Sequence, residues 1–339
     1  MSFFAPAPIP PTKLGRVRQL APRAGIHVSP LALGAMSIGD KMGSLWHGCH
    51  GQGIIVQTVG RVLFDAGGNH IDTANAYQDG SSEEFIGEWV EARGYRDQVV
   101  IATKVHYWDL HTSVEEMMDS LHHLVAAGTV LFILGISDSP AWFVVKANEY
   151  AKANGKTPFV VFQAPYSVTE RDIEREIMPM CRHEGMALTL WNVLASGHIR
   201  TDAEEELRRS TGEKGRTILT SGSAPRTRKK CAPRLEVVAK EVGAKYITAV
   251  AIANTLHKAP FVYPIIGGRK VEHPAANIEA LDITLTKEQM AYIDGILPFG
   301  QGLPSQTPGR IRGPKSFLKT MNATYDRQPL LPPVAPASD

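Results

Sequence analysis

The sequence predicts an α/β protein built as a (β/α)8 barrel, and two patterns support this prediction. Short apolar segments alternate with amphipathic helical segments along most of the chain, as is typical of repeated βαβ units. The apolar segments are continuously hydrophobic, which indicates strands covered on both faces, as in a parallel sheet. An open doubly wound sheet is the alternative, but the loop from Gly34 to Gly39 lacks the G-x-G-x-x-G spacing typical of that fold.

The predicted strands are short, and several of them end at a polar or aromatic residue. The first runs from Val28 to Met36, the second is the short apolar run that Asp72 closes, and the third runs from Gln98 to Lys104. The others are Val130 to Ile136, Phe159 to Phe162, Met186 to Trp191 and Phe261 to Ile266. Since a barrel of this kind carries its chemistry at the carboxyl ends of its strands, these ends are the candidate site.

The predicted helices lie between these strands and begin at capping residues. Val56, Val59, Leu63 and Ala66 lie on one face of the first helix, which Gly67 and Gly68 end. Later helices are predicted to start at Ser81, Ser113, Ser139, Thr169 and Thr286. Three of these starts have the S/T-x-x-E/Q spacing of a capping box, and Ser139 precedes a proline that suits the first helical position.

Composition excludes several classes of function. Charged residues make up 21% of the 339 residues and the net charge is +2, so no basic excess indicates binding to nucleic acid or to an anionic membrane. No apolar run approaches the roughly 20 residues of a membrane span, and the first residues do not resemble a secretory signal. The three cysteines are odd in number and widely spaced, which predicts reduced thiols in a cytoplasmic protein.

Segments rich in Pro, Gly and Ser set the predicted domain limits. A single barrel domain is expected over residues 14–305, with flexible tails at 1–13 and 306–339. The basic run Arg226–Lys230 has Gly, Ser and Pro on its flanks and is predicted to be a solvent-facing loop, or one that folds toward a phosphate. His47, Cys49, His50 and His111 lack metal-ligand spacing, so no metal site is predicted.

Four residues near two successive strand ends indicate acid chemistry. Asp72 and Tyr77 follow one strand, whereas Lys104 and His106 follow the next. Asp72 alone is more often a turn residue, but the lysine at the end of the next strand favours a site. Reduction of a carbonyl by hydride transfer leaves an alkoxide that needs a proton, and Tyr77 is the candidate donor.

The other three residues are predicted to support Tyr77. A free phenol has a pKa of about 10, and a neighbouring ammonium such as that of Lys104 lowers this value by favouring the phenolate. Asp72 would keep Lys104 charged and oriented, and His106 could donate a hydrogen bond to the substrate oxygen.

A second set of residues indicates a dinucleotide. Ser137, Asp138 and Gln163 offer polar groups for a nicotinamide carboxamide, and Trp191 offers a flat face for the ring. The segment from Gly267 to Lys270, which includes Gly268 and Arg269, combines close backbone approach, a helix start and two cations, as phosphate binding requires. Two adjacent cations favour NADP over NAD. The alternatives are packing roles for Gln163 and Trp191 and solvated charges at Arg269 and Lys270.

These residues resemble the aldo-keto reductases. The spacing of Asp72 and Tyr77, the strand ending at Lys104 and the stretch from Val105 to Asp109 carry the resemblance. Within that family, the segments 33–40, 135–142, 183–188 and 267–273 are similar to fungal aryl-alcohol dehydrogenases and norsolorinic acid reductases. Over residues 14–305 the resemblance implies a (β/α)8 barrel, NADPH as cofactor, and aromatic aldehydes, ketones or the corresponding alcohols as substrates. It also implies that Asn277 helps to hold the adenosine end of the cofactor.

The chain departs from that family at one position. In the family, the lysine and the histidine end two successive strands, but here only Val105 separates Lys104 from His106. One βα unit of roughly 30 residues is therefore predicted to be absent, which leaves seven recognisable strands in a contracted barrel. Two alternatives follow: an active NADP-dependent reductase, or a reductase-like nucleotide-binding protein or truncated splice product with impaired catalysis.

Overall fold

A computed structural model describes residues 8–41, 60–105, 111–131, 133–211, 224–268, 272–297, 299–300 and 332–333. Its first strands form an antiparallel hairpin, β1 (Arg18–Ala21) with β2 (Ala24–Val28), which the sequence patterns do not predict. The seven strands that follow are β3 (Ala32–Gly34), β4 (His70–Asp72), β5 (Val100–Ala102), β6 (Leu134–Ser137), β7 (Phe159–Pro165), β8 (Ala187–Trp191) and β9 (Val262–Ile266).

These seven strands form one parallel sheet in the order β5-β4-β3-β9-β8-β7-β6. The prediction of a contracted barrel with seven strands is confirmed. Within the described residues, β5 pairs only with β4 and β6 pairs only with β7, so β5 and β6 are the two edges of the sheet. The absent unit therefore corresponds to the gap between β5 and β6, since it is expected directly after Lys104.

Helices connect the strands and cover the sheet. They are α1 (Arg61–Asp65), α2 (Ser81–Arg93), α3 (Val114–Ala126), α4 (Ala141–Ala153), α5 (Ile177–Glu184), α6 (Asp202–Ser210), α7 (Ala224–Val242), α8 (Ile247–Leu256), α9 (Glu272–Ile278) and α10 (Lys287–Asp294). α8 lies almost wholly in the core, since all its residues except Thr248 are buried. None of the helices in the described ranges is long and apolar enough to cross a membrane.

Capping chemistry explains several of the helix starts. The Ser113 hydroxyl accepts a hydrogen bond from the backbone N–H of Glu116 at 3.1 Å, and α3 begins at the next residue. Thr286 and Gln289 form the reciprocal bonds of a capping box at the start of α10, as predicted. The capping box predicted at Ser81 is wrong, because Gly80 is the N-cap residue and the Ser81 hydroxyl donates to the carbonyl oxygen of Gln78 instead.

Two helix predictions need correction. The basic run Arg226–Lys230 lies in α7 and not in a loop. Its flanking Gly and Ser residues suggested a turn, but α7 continues past the run and is anchored by Cys231, Leu235 and Val238, which are fully buried and share one helical face. The helix expected from Thr169 begins later, at Ile177, and a short 3-10 turn at Asp172–Glu174 precedes it.

Candidate active site

An ion pair between Asp72 and Lys104 lies at the centre of the site. Lys104 Nζ is 2.9 Å from both carboxylate oxygens of Asp72 and donates a third hydrogen bond, also of 2.9 Å, to the carbonyl oxygen of Thr73. The two residues meet because β4 and β5 are parallel neighbours in register, with Asp72 opposite Ala102. The Asp72 carboxylate is buried, whereas about a third of the Lys104 side chain (29%) is exposed.

Gln163 reaches the same carboxylate from β7. Its Nε2 donates to Asp72 Oδ2 at 2.7 Å and to the hydroxyl of Thr189, on β8, at 3.3 Å. The atom that faces Asp72 has to be the amide nitrogen, because an ionised carboxylate only accepts hydrogen bonds. A hydrogen bond therefore joins two strands that are not neighbours in the sheet, β4 and β7.

Tyr77 lies beside this pair. Lys104 Nζ lies 5.2 Å from the centre of the Tyr77 ring, within the range of a cation–π contact. Tyr77 opens a 3-10 turn whose next two residues, Gln78 and Asp79, have positive φ angles of 54°. Gln78 is fully buried and its amide donates to the carbonyl oxygen of Met36 at 3.2 Å, so it holds the turn in place. Gln78 could not be identified from the sequence, since an isolated glutamine in a loop carries no recognisable pattern.

The electrostatics of Asp72 reflect two opposed effects. Burial is the larger effect and raises the pKa of Asp72 above its ordinary value, because a low dielectric disfavours the charged carboxylate. The charge and hydrogen bonds of Lys104, together with the hydrogen bond from Gln163, act to lower that pKa. Lys104 and Gln163 therefore favour the ionised carboxylate, whereas burial disfavours it.

Ser137, Asp138 and Trp191 also lie near this rim of the sheet. The Ser137 hydroxyl donates to the Asp138 carboxylate at 2.9 Å, and the backbone N–H of Asp138 donates to the carbonyl oxygen of Gln163 at 3.1 Å. Partial burial raises the pKa of Asp138, and the charge of Lys104 and a hydrogen bond from Trp191 oppose this shift. These three residues therefore belong to the same neighbourhood as Lys104 and Gln163.

Two of the residues predicted to bind the phosphate and adenosine, Gly268 and Asn277, lie just after β9 and on α9. A Cβ atom placed on Gly268 would come within 2.6 Å of the His273 side chain, so only glycine fits there. Asn277 is buried on α9, and its Nδ2 has no hydrogen-bond partner within the part of the chain that the structure describes. His106, Arg269 and Lys270, which the sequence also predicts for the site, lie outside the described residues.

Comparison with known proteins identifies relatives of the whole barrel. The model of the "Aldo/keto reductase family" matches residues 30–105 and 105–298, so its match divides at Val105. The chain is 50% identical to an aryl-alcohol dehydrogenase [NADP(+)] of Phanerodontia chrysosporium, with 90% of this chain and 91% of the relative covered. It is 41% identical to norsolorinic acid reductase A of Aspergillus parasiticus, with 88% of this chain and 85% of the relative covered.

The length of one alignment bears on the missing unit. The alignment with the Phanerodontia relative runs over 358 positions, more than the 339 residues of this chain, so that relative has residues that this chain lacks. The fold is similar to the crystal structure of a thermostable aldo-keto reductase with the inhibitor epalrestat. The TM-score is 0.62 at 23% identity, and 83% of this chain and 99% of that chain are covered.

Proposed function

The chain belongs to the aldo/keto reductase family, and from this premise we propose that it reduces aromatic aldehydes or ketones to alcohols with NADPH. The observation that carries the proposal is the contact of Lys104 with Asp72 on one side and with the Tyr77 ring on the other. The printed names of its relatives support the choice of cofactor and substrate class, since they include an NADP(+) aryl-alcohol dehydrogenase and a norsolorinic acid reductase.

Tyr77, Lys104 and Asp72 form the central cluster, and each of the three has one role in this proposal. Tyr77 donates a proton to the carbonyl oxygen of the substrate as negative charge develops there. Lys104 favours this transfer, because a cation near the ring stabilises the phenolate that remains. Asp72 holds Lys104 in position through two bonds of 2.9 Å and supplies its counter-charge.

The residues around the cluster fit NADPH. When bound, this cofactor supplies the hydride that is added to the carbonyl carbon. Asn277 carries a buried donor with no described partner, which suits a hydrogen bond to the adenosine end. Gly268 follows β9 without a side chain, and Ser137, Asp138 and Gln163 offer polar groups beside the central cluster. Trp191 provides a flat apolar face, and Arg269 and Lys270 supply cations for the 2′-phosphate.

A comparison of two tyrosine variants tests the proposal. Oxidation of NADPH is followed by its absorbance with veratraldehyde as substrate. We expect Tyr77→Phe to lower kcat by about 100-fold or more, because the proton donor is lost, while NADPH still quenches tryptophan fluorescence. Tyr246→Phe is the matched control, since Tyr246 is exposed at the start of α8 and lies outside the cluster. Equal activity in both variants would refute the role of Tyr77.

The gap in the sheet favours a second candidate, a nucleotide-binding protein with impaired catalysis. β5 and β6 are edges within the described residues, and the family match divides at Val105. A protein of this kind would bind NADPH without turning over veratraldehyde, and Tyr77→Phe would change neither property. We infer that either protein acts in the cytoplasm, because reduced, buried cysteines such as Cys181 and Cys231 are typical of that compartment.

A further inference from the structure

All three N–H donors of the Lys104 ammonium are already used in hydrogen bonds. An ammonium has three N–H bonds, and those of Lys104 go to Asp72 Oδ1, Asp72 Oδ2 and the carbonyl oxygen of Thr73, each at 2.9 Å. If Lys104 is to bond the phenolate oxygen that forms on Tyr77, it has to release one of these acceptors. Release of an acceptor is costly where that oxygen is buried and would be left without another donor.

Asp72 Oδ2 is the acceptor that Lys104 can release, because Gln163 donates to the same atom at 2.7 Å. Gln163 is itself held in place, since its Nε2 also contacts the Thr189 hydroxyl and its backbone carbonyl oxygen accepts from the backbone N–H of Asp138. Within the part of the chain that the structure describes, the titratable groups that face this cluster are Lys104 from the end of β5, Tyr77 from the turn after β4 and Asp138 from the end of β6. Gln163 is thus the one neutral donor that bonds the Asp72 carboxylate among the described residues.

We propose that Gln163 is a positioning residue that keeps Asp72 ionised and allows Lys104 to move one N–H from Asp72 Oδ2 to Tyr77 during proton transfer. This inference rests on the proposed function and deepens it. A contact with the cofactor carboxamide does not conflict with this role, because the side-chain Oε1 of Gln163 can accept a hydrogen bond while Nε2 stays on Asp72. The hydrogen bond from Gln163 also acts to lower the pKa of Asp72, in agreement with this role.

The test compares Gln163→Met, which keeps the length of the side chain but removes its donor, with Thr189→Val. The control removes the second contact of the same amide and leaves its bond to Asp72. The first measurement is the free energy of unfolding of the cofactor-free protein in urea at a series of pH values. Relative to the wild type at the same pH, Gln163→Met should lose most unfolding free energy at high pH, where Asp72 is ionised. This difference should shrink as the pH falls through the Asp72 pKa. A packing defect would cause the same loss at every pH.

The second measurement is the pH profile of kcat at saturating NADPH. A hydrogen bond to a charged group shifts a pKa by about one unit or more. The acidic limb of the profile, where kcat falls as the pH is lowered, should therefore lie about one pH unit higher in Gln163→Met and stay unchanged in Thr189→Val. The proposal is overturned by a loss of stability that does not vary with pH, by an unmoved acidic limb, or by equal effects in the two variants.

Both measurements separate this proposal from the proposed function. If the wild-type protein has no turnover, the proposed function fails and the unfolding series alone decides the role of Gln163. If Gln163→Met does not fold, Gln163→Leu takes its place in both measurements. If the wild type is active and the acidic limb of its pH profile is unchanged in the Gln163 variant, the positioning role is refuted and the proposed function stands.

Discussion

His70 should make the stability of the protein depend on pH. It is only 6% exposed at the start of β4, and its ring packs edge-on against Tyr263 at 6.2 Å between ring centres. Burial lowers the pKa of His70 from 6.5 to about 4, because the imidazolium would lose its hydration. Below pH 6.5 the His70 imidazole is protonated in the unfolded chain but stays neutral in the folded protein. The free energy of unfolding therefore falls as the pH is lowered from about 6.5 to about 4.

The size of this effect follows from the two pKa values. One pKa unit corresponds to about 1.4 kcal/mol, and between about pH 7.5 and about pH 5 the His70 contribution amounts to about 2 kcal/mol. This amount can be isolated by urea unfolding of the wild type and of His70→Leu at both pH values. All other titratable groups are the same in the two proteins, so their contributions cancel. We expect the wild type to lose about 2 kcal/mol more than the variant on acidification.

A matched histidine variant completes this experiment. His183 is exposed on α5, so His183→Leu should lose as much stability on acidification as the wild type does. The reasoning is refuted if His70→Leu and the wild type show the same change in unfolding free energy between the two pH values.

Three further predictions concern buried hydrogen bonds, helix capping and backbone conformation. Asn148→Ala should lower the unfolding free energy in urea by about 3 kcal/mol, because the Asn148 amide bonds both the N–H and the C=O of Phe159 in the core, at 2.8 and 3.1 Å. Thr286→Ala should lower it by about 1 kcal/mol through loss of the α10 cap, and restoration by Thr286→Ser would support this cause. Gly39→Ala should lower kcat by about 10-fold or more, because Gly39 has a φ of 133° and a new Cβ would displace Gln78; unchanged kinetics would contradict this.

The sequence predicted the sheet and its polar edge because both depend on local signals. Continuous apolar runs located the parallel strands, and the residues at the ends of those runs, such as Asp72, Lys104 and Gln163, come together wherever parallel strands lie side by side. Their contacts were only partly predictable. The pairing of Asp72 with Lys104 follows from neighbouring strands, but the bond from Gln163 to Asp72 joins strands that are not neighbours and depends on how the sheet curves in space.

Features that depend on tertiary context escaped prediction. The hairpin of β1 and β2 is short, and Ala21 and Ala24 carry no strong strand signal. Gln78 became important only because the turn after Tyr77 packs against the loop that follows β3. α7 was missed at its start, where composition favoured a loop, since its anchoring residues lie further along the helix.

The position of the gap explains how Asp72 and Lys104 of the central cluster meet Gln163 without the absent unit. Asp72 comes from β4, Lys104 from the end of β5 and Gln163 from β7, and backbone pairing is continuous from β5 through β9 to β6. The break lies at the two ends of this order, so it separates no two strands that carry the cluster. β4 and β5 stay adjacent in this order, so the pairing that brings Asp72 to Lys104 is intact. Loss of a unit at the edge removes the strand that would follow Lys104, and the Gln163 bond to Asp72 still ties the two halves of the sheet together.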